Sequence, residues 1–331
     1  NGVTPLEYAS LPEMDRLVEQ GICGLAYPLA PGLPVDTHTG TATLFGFSRS
    51  ATEQLARGPV EAAGVGMEIG PRDVVLRANF ASFNQQYRLL DRRAGRINEG
   101  TEALSDSINQ IPPIDGVHIS FKPATGHRGV VRLRGEGLST EISNTDPGRV
   151  KLENTPQCTP LSADSDAKRT AAIVNQWRQA VFEILDQHPV NQQRRKQSLL
   201  LANGVILRGA GEFQTQNNLL KELDIKPVVI SAEATVHGLA ALSGFDSINL
   251  PSFTALPDTD IAAKVEAAEQ ALSHYPLVIL HFKAPDICAH DFDPVAKANF
   301  IQAVDQALPA LSQKASAIAI TADHSTSSES G

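Results

Sequence analysis

The sequence predicts an α/β protein with a mostly parallel sheet that carries helices on both faces, together with an inserted α+β block. From residue 203 onward, short apolar runs typical of buried strands alternate with segments long enough to form helices. Strands joined by such helices imply right-handed crossovers and therefore parallel pairing. Before that region, a strand, a helix and two more strands precede one long helix over residues 167–188, an order typical of a separate α+β unit.

The length and composition agree with a soluble protein of two domains. A chain of 331 residues corresponds to about two domains. Its 42% hydrophobic and 20% charged residues are ordinary for a globular fold. We predict a discontinuous core formed by residues 1–60 and 196–331, and an inserted domain formed by residues 61–195.

Composition also excludes several classes of partner. The net charge of −9 opposes binding to nucleic-acid phosphates, and the 5% aromatic content leaves few rings for stacking on bases. No apolar run approaches the roughly 20 residues that span a bilayer. Cys23, Cys158 and Cys288 are too far apart to suggest a disulfide framework, which favours the cytoplasm. We expect neither nucleic acid nor membrane as a partner, and the sequence does not predict the oligomeric state.

The region before the first polar loop predicts a helix and a strand. Ser10 is a candidate N-cap, Glu13 stands in the capping-box position, and Gly21 ends the helix. Residues 22–26 could form a strand. The glycine-rich residues 58–70 do not fit a phosphate-binding loop and are interpreted as a connection.

Residues 36–41, DTHTGT, crowd hydroxyl groups directly before a helical run. The helix N–H groups behind such a loop suit a phosphoryl group and a nucleophile that attacks it. The alternative is that Thr37 or Thr39 merely caps the helix, as threonines commonly do.

The predicted insert is rich in arginine although the protein is acidic. Arg92, Arg93 and Arg96 precede a predicted helix, where the helix dipole disfavours cations unless an anion is bound. Because arginine pairs bidentately with phosphate and carboxylate, this pattern favours an anion clamp. The alternative is a solvated, salt-bridged surface. The arginines of the region are Arg77, Arg88, Arg92, Arg93, Arg96, Arg128, Arg132 and Arg134.

Residues 277–293 contain the densest group of candidate metal ligands. A buried-strand pattern ends there, and Asp286 and His290 follow Pro285 with a spacing of four residues. In a helical turn both side chains would lie on one face, where a carboxylate and an imidazole could bind a divalent metal. Cys288 could be a ligand or a nucleophile, but it more often would be a small packing residue.

A second acidic and imidazole pair, Asp323 and His324, follows the apolar run at residues 316–322. If both pairs follow neighbouring parallel strands, they lie at the same edge of the sheet, where ligands bind. Each pair alone could have a structural role such as a helix cap. Together they predict a site for two metal ions.

Several phrases of this sequence, distributed over nearly its whole length, recur together and in this order in one known family. They are TPLEYASLPEMDRLVEQGICGL, RGPVEAAGVG, LRANFAS, DRRAGR, HRGVVRLRGEGLS, NTDPG, HPVN, NGVILRGAG, KAPDICAHD and TADHST. On these phrases the chain resembles the archaeal-type cofactor-independent phosphoglycerate mutases of the alkaline phosphatase superfamily.

This resemblance implies an alkaline-phosphatase-like core with a mostly parallel sheet and an inserted α+β cap domain. It also implies metal-dependent phosphoryl transfer that interconverts 2- and 3-phosphoglycerate, a reaction of glycolysis. Thr37 stands where the mutases carry their nucleophilic serine. Two divalent ions, manganese or else zinc, magnesium or cobalt, would be held by Asp286, His290, Asp323 and His324.

The implied substrate is a small phosphorylated anion. The metals would lower the pKa of the nucleophile and neutralise charge on the phosphoryl group, while cationic side chains position the dianion. The implied substrate-binding residues are Arg92, Arg93, Arg96, His127, Arg128, Arg208 and Lys283.

Around Thr37 the sequence departs from the family, since the mutases read SDTAH where this chain reads THTGT at residues 37–41. His38 thus replaces an acid and Thr41 replaces a histidine. One alternative is a paralogue acting as phosphotransferase or phosphohydrolase on a phosphonate or a nucleotide-activated phosphoester. Another is a non-catalytic relative that binds metals or anions. Two further family ligands would fall before Asn1 and after Gly331, so we expect the sequence to be trimmed at both ends.

Overall fold

A computed structural model describes residues 2–148, 156–212 and 218–329. The chain divides into a first unit, Asn1–Leu55 with Thr215–Gly331, and a second unit, Ala56–Gln214. The second boundary lies after Gln214 and not, as predicted, after residue 195, because residues 204–212 form a strand that pairs inside the second unit. Within the described residues, no helix is both long and apolar enough to cross a membrane.

Five helices precede the first strand, and three helices follow the last strand of the described residues. The described helices are α1 (Pro5–Tyr8), α2 (Pro12–Gln20), α3 (Thr37–Leu44), α4 (Arg49–Gln54), α5 (Arg57–Gly64), α6 (Thr101–Ile108), α7 (Ser165–Asp186), α8 (Pro189–Lys196), α9 (Leu219–Glu222), α10 (Ala234–Ser243), α11 (Ile261–Ala271), α12 (Ala284–His290), α13 (Pro294–Ala307) and α14 (Pro309–Ser312). The described strands are β1 (Val74–Phe83), β2 (Leu89–Asp91), β3 (His118–Pro123), β4 (Arg128–Arg134), β5 (Gly204–Glu212), β6 (Val228–Ile230), β7 (Asp246–Ile248) and β8 (Val278–Leu280).

The sheet of the first unit is parallel, with the strand order β7-β6-β8. Val229 at its centre pairs with Ser247 on one side and with Ile279 on the other. β6 is fully buried, as expected of a central parallel strand. Helix α11 packs against the sheet, and Val265 joins the strand residues in one apolar core. The mixed α/β fold is confirmed, and these three strands have the predicted parallel pairing.

Two predicted strands of the first unit are wrong. Residues 22–26 and 316–322 form no strand in the described part of the chain. Ile22 and Leu25 are fully exposed to solvent. A strand requires a neighbouring strand that accepts its backbone hydrogen bonds, and neither segment has such a neighbour among the described residues, although both have the apolar composition.

The N-terminus of α2 is satisfied differently from the prediction. Ser10 does not cap the helix, and the N-cap residue Leu11 makes no side-chain cap. Instead the buried carboxylate of Asp305 accepts hydrogen bonds from the backbone N–H groups of Glu13, at 3.2 Å, and Met14, at 2.7 Å. A distant acid on α13 therefore provides the cap that the local sequence was expected to supply.

The second unit is built on an antiparallel sheet with the order β2-β1-β4-β3, to which β5 is added along β1. The long helix α7 packs on one face of this sheet along β5, and its Trp177 is buried in the main apolar core. The predicted long helix at residues 167–188 is thus present, two residues earlier, at Ser165–Asp186. β5 was expected in the parallel sheet, but it runs antiparallel to β1.

The opposite face of this sheet is covered by α5, a helix where the sequence predicted a connection. It packs on β1 and β5 at very short distance. A Cβ atom on Gly58 would lie 2.2 Å from the carbonyl oxygen of Val75, so only glycine permits this approach. The close packing brings Glu61 of α5 onto the polar part of the sheet, where it is 4% exposed.

Candidate active site

The start of α3 presents the hydroxyl of Thr37 to the interior of the first unit. Asp36 caps the helix, and its carboxylate and the Thr39 side chain form a reciprocal capping box. The capping interpretation therefore holds for Thr39 but not for Thr37. Thr37 is the first residue of α3. Its Oγ1 contacts the side chains of Lys283, which follows β8, and of His324.

Helix α3 lies directly on the segment that contains Asp323. A Cβ atom on Gly40 would lie 2.3 Å from the carbonyl oxygen of Asp323, so the absence of a side chain permits the contact. His38 and Thr41, which replace the family's acid and histidine, are both buried, at 6% and 3% exposure.

Lys283 joins Thr37 to the first predicted ligand pair. Its Nζ donates to Thr37 Oγ1 at 2.8 Å and forms an ion pair with Asp286 Oδ2 at 2.6 Å. Lys283 follows β8 and Asp286 lies in the first turn of α12, so both stand beyond the carboxyl end of a parallel strand.

His324 and Thr326 close these contacts into a ring. Thr326 Oγ1 donates to Asp286 Oδ1 at 2.5 Å and lies 3.2 Å from His324 Nδ1. The other ring nitrogen of His324, Nε2, lies 3.2 Å from Thr37 Oγ1. We call Thr37, Lys283, Asp286, Thr326 and His324 the side-chain ring. In it a hydroxyl, a cation, a carboxylate and an imidazole are held at hydrogen-bond distance without any ligand.

The two acid and imidazole pairs are each present. Asp286 and His290 share one face of α12, with 3.8 Å between Oδ1 and Nε2, although His290 is 53% exposed. Asp323 Oδ2 lies 3.5 Å from His324 Nε2. Thr326 connects the pairs, since it contacts Asp286 and His324.

These donors fit a divalent metal in kind. Carboxylate oxygens and imidazole nitrogens are ligands that manganese and zinc accept. Asp323 Oδ2 is buried and has no hydrogen-bond donor among the described residues, a position that suits a cation. The described residues contain no group of three or more His, Cys, Asp or Glu side chains that could hold an ion. The four predicted ligands therefore form two pairs.

The environment keeps Asp286 ionised and Cys288 neutral. Burial by itself would raise the pKa of Asp286, but the hydrogen bonds from Lys283 and Thr326 outweigh it, and the pKa lies below its usual value. Burial raises the pKa of the Cys288 thiol, and Asp293 and Asp291 raise it further. Cys288 is 3% exposed and therefore packs in the interior, which is the position expected of a small packing residue.

In the second unit, Arg92 and Arg208, two of the predicted substrate-binding residues, gather around one buried carboxylate. Arg92 makes a bidentate ion pair with Asp146, at 2.6 and 2.8 Å, and Arg208 Nε lies 3.8 Å from the same carboxylate. Burial opposes ionisation of Asp146, but Arg92 and Arg208 hold its pKa below the usual value. Arg128 and Arg93 are close enough to His127 to lower its pKa. We call Arg57, Arg77, Arg92, Arg93, Arg128, Arg208 and His127 the arginine cluster.

Arg77 stands at the centre of the arginine cluster. It pairs in register with Arg208 across β1 and β5, and its Nη1 lies 3.2 Å from Glu61 Oε1. Burial, with Arg57 among the neighbouring cations, lowers the pKa of Arg77 to about 9 despite Glu61. Its Nε and Nη1 make no hydrogen bond with any described residue. A buried guanidinium in this condition favours an added anion.

His127 and Arg96 behave differently from the other predicted cations. Burial, together with Arg128 and Arg93, lowers the pKa of His127 to about 4, so its imidazole is neutral at pH 7. Arg96 is exposed and makes no side-chain hydrogen bond or ion pair with the described residues. The dipole argument for this stretch is wrong, because Ala94–Arg96 is a short 3₁₀ turn and α6 begins only at Thr101.

Two residues that the structure brings to these sites, Thr326 and Asp146, were not predicted from the sequence, and Arg77 was named only among the arginines of its region. Thr326, Asp146 and Arg77 acquire their roles through contacts with residues far away in the chain. The only sequence signals were the position of Thr326 directly after the Asp323-His324 pair and the charge of Arg77 inside an apolar strand.

Known proteins of one family are similar to this chain over nearly its whole length. The model of a family described as 2,3-bisphosphoglycerate-independent phosphoglycerate mutase matches residues 19–191. A protein of that name from Archaeoglobus fulgidus is 39% identical over 98% of this chain and 81% of its own length. One from Ignicoccus hospitalis is 38% identical over 98% of this chain and 79% of its own.

Solved structures give the same result. A protein from Pyrococcus horikoshii superimposes with a TM-score of 0.81 and 30% identity, over 99% of this chain and 78% of that protein. A cofactor-independent phosphoglycerate mutase from Thermoplasma acidophilum superimposes with a TM-score of 0.63 and 29% identity, over 93% and 77% of the two chains.

Proposed function

The chain belongs to the family of 2,3-bisphosphoglycerate-independent phosphoglycerate mutases, and on this premise we propose that it interconverts 2- and 3-phosphoglycerate through a phosphorylated Thr37. The observation that carries the proposal is the position of Thr37 Oγ1, within 2.8 Å of Lys283 Nζ and 3.2 Å of His324 Nε2. A threonine that only capped its helix would not make these contacts.

In the proposed reaction, Thr37 Oγ1 attacks the phosphorus of phosphoglycerate. The bond between phosphorus and the glycerate oxygen breaks, the glycerate oxygen takes up the proton that the Thr37 hydroxyl loses, and phosphothreonine remains. The other glycerate hydroxyl then attacks the same phosphorus, which returns the hydroxyl to Thr37. Lys283 donates to Thr37 Oγ1 in the structure, so it favours negative charge on that oxygen as the hydroxyl proton leaves.

The family is metal-dependent, and the proposal assigns divalent ions to Asp286, His290, Asp323 and His324, with manganese as the first choice. When bound, the metals would lower the pKa of the attacking hydroxyl and neutralise charge on the phosphoryl group. The buried oxygen Asp323 Oδ2, which lacks a hydrogen-bond donor among the described residues, supports this assignment.

The proposal divides the remaining roles between the two units. The first unit would be the metal-binding, alkaline-phosphatase-like core, and the second unit the cap. The arginine cluster would bind the phosphate and carboxylate of the substrate, since guanidinium groups pair with both. Arg77 Nε, which has no hydrogen-bond acceptor among the described residues, supports an anion there, whereas the exposed position of Arg96 gives its predicted role no support.

A second candidate function is phosphoryl transfer or hydrolysis on another substrate, such as a phosphonate or a nucleotide-activated phosphoester. The observation that favours it is the burial of His38 and Thr41 on α3, where the mutases carry an acid and a histidine. These changes alter charge and hydrogen bonding next to Thr37.

The test is a coupled assay with each phosphoglycerate isomer and manganese, combined with mass spectrometry of quenched protein. We expect turnover and a phosphoryl adduct on Thr37, and we expect Thr37→Ala to abolish both. Thr43→Ala is the matched control, because Thr43 lies on the same helix and its hydroxyl donates to the carbonyl oxygen of Thr39.

Normal turnover by Thr37→Ala would exclude phosphoryl transfer through Thr37, the step that both candidate functions share. An adduct on Thr37 without turnover of either phosphoglycerate would support the second candidate. Metal and phosphate binding without any adduct or turnover would identify a non-catalytic relative.

A further inference from the structure

Thr326 is the one member of the side-chain ring that the proposed function leaves without a role. Its hydroxyl contacts Asp286 Oδ1 and His324 Nδ1, which belong to the two different acid and imidazole pairs. Its carbonyl oxygen accepts a hydrogen bond from Lys297 Nζ of α13, at 2.9 Å. Thr326 is therefore fixed through its backbone while its side chain reaches two predicted metal ligands.

The hydrogen atoms around His324 Nδ1 can be assigned from these contacts. A threonine hydroxyl has one hydrogen, and at 2.5 Å that hydrogen is directed to the carboxylate of Asp286. Toward His324 the Thr326 oxygen can then only accept. The second neighbour of Nδ1 is the carbonyl oxygen of Ser325, at 3.2 Å, which also only accepts. Nδ1 therefore carries the hydrogen in the neutral ring.

The tautomer fixes the character of the opposite nitrogen. With the hydrogen on Nδ1, Nε2 keeps its lone pair. Nε2 lies 3.2 Å from Thr37 Oγ1 and 3.5 Å from Asp323 Oδ2. Nε2 therefore accepts the hydrogen bond of the Thr37 hydroxyl, while Nε2 and Asp323 Oδ2 face each other as two electron-pair donors, which suits a divalent cation.

We propose that Thr326 is a positioning residue. Its hydroxyl selects the Nδ1–H tautomer of His324, which leaves Nε2 free to bind a divalent cation beside Thr37, and it also orients Asp286. This inference rests on the proposed function for the role of Thr37, but the tautomer and the metal affinity can be measured without any turnover. Outer contacts of this kind set the orientation and basicity of metal-binding histidines.

The test compares Thr326→Val, which removes the hydroxyl at nearly constant volume, with Thr326→Ser, which retains it. Thr321→Val is the matched control, because Thr321 is exposed in the same segment and its hydroxyl donates to the adjacent carbonyl oxygen of Ala322 and to no other described residue. The tautomer is read from nitrogen chemical shifts of metal-free protein with labelled histidine, assigned by comparison with His324→Gln. Manganese affinity is measured by calorimetry with the metal alone.

We expect the parent protein, Thr326→Ser and Thr321→Val to show the Nδ1–H tautomer at His324. For Thr326→Val we expect a mixture of tautomers and manganese affinity about 10- to 100-fold weaker. Its kcat should fall by a similar factor while KM for phosphoglycerate changes less than the metal affinity. A thermal unfolding curve for each variant separates these effects from loss of the fold.

An unchanged tautomer together with manganese affinity within about twofold in Thr326→Val would overturn the inference. An equal loss in Thr321→Val would overturn it as well, since the effect would then belong to the segment. If no protein turns over phosphoglycerate but Thr326→Val alone changes tautomer and metal affinity, the proposed function fails and this inference stands.

Discussion

The side-chain ring of the first unit and the arginine cluster of the second unit satisfy their charges in opposite ways. In the ring, Lys283 pairs with Asp286 and each side chain contacts two others. In the arginine cluster, cations outnumber carboxylates, and Arg77 Nε has no hydrogen-bond acceptor among the described residues. The ring is thus arranged before a ligand arrives, whereas the cluster becomes fully satisfied only with an anion.

The largest expected effect tests the preorganisation of the ring. Lys283→Met removes the donor to Thr37 and the ion pair with Asp286, so we expect kcat in the phosphoglycerate assay to fall by about 10²- to 10³-fold. Lys221→Met, at an exposed lysine of the same unit, is the control. A decrease of less than about tenfold in Lys283→Met, with the fold intact, would mean that the ring is not needed in advance.

A smaller effect tests the anion requirement of the cluster. Arg77→Met removes the buried cation with unpaired donors, and we expect the affinity for inorganic phosphate, measured by calorimetry, to weaken about 10- to 100-fold. Arg88→Met is the control, since Arg88 is exposed on the same unit. Equal phosphate affinities for the two variants would show that the donors of Arg77 do not need an anion.

The smallest effect concerns Lys264, a buried cation of the first unit that has no carboxylate partner among the described residues. Its Nζ donates to the carbonyl oxygen of His281 at 3.1 Å and lies over the rings of Phe253 and Phe282. Burial lowers the pKa of Lys264 to about 8, from 10.5. The unfolded chain therefore binds more protons between these values, and stability contributed by this group increases as the pH rises from 8 to 10.5.

Denaturant unfolding as a function of pH measures this contribution, which amounts to at most about 3 kcal/mol. In Lys264→Met the increase should disappear, while phosphate affinity stays as in the parent. If the pH profile of the variant matches that of the parent, Lys264 is not the group responsible. A loss of phosphate affinity in Lys264→Met would mean that Lys264 also contributes to anion binding, so it would not differ from the arginine cluster in this respect.

The features that could be predicted from the sequence are local or belong to the family. The family resemblance is confirmed, as is the mixed α/β fold. The structure brings together Thr37, Lys283, Asp286 and His324, each of which has a recognisable neighbourhood in the sequence. Their chemical roles, the metals and the cytoplasmic location stay predictions.

The features that could not be predicted depend on partners far away in the chain. Residues 316–322 have the composition of a strand but lack a pairing neighbour among the described residues. Asp305 caps α2 from α13, which no local pattern signals. Arg77 becomes a buried cation, paired with Glu61 of α5, only because α5 covers the sheet, and that approach depends on Gly58. The composition of a segment can be obtained from that segment alone, whereas its burial and strand pairing depend also on the segment that it contacts.

The contact at Gly40 has a consequence for motion. Because the backbone of α3 lies against the carbonyl oxygen of Asp323, the first turn of α3 and the segment from Asp323 to Thr326 are packed against each other. Neither can open to water while the other stays closed, so the two segments behave as one cooperative unit of local unfolding. A residue without a side chain thereby links the lifetime of the closed site to the stability of both segments.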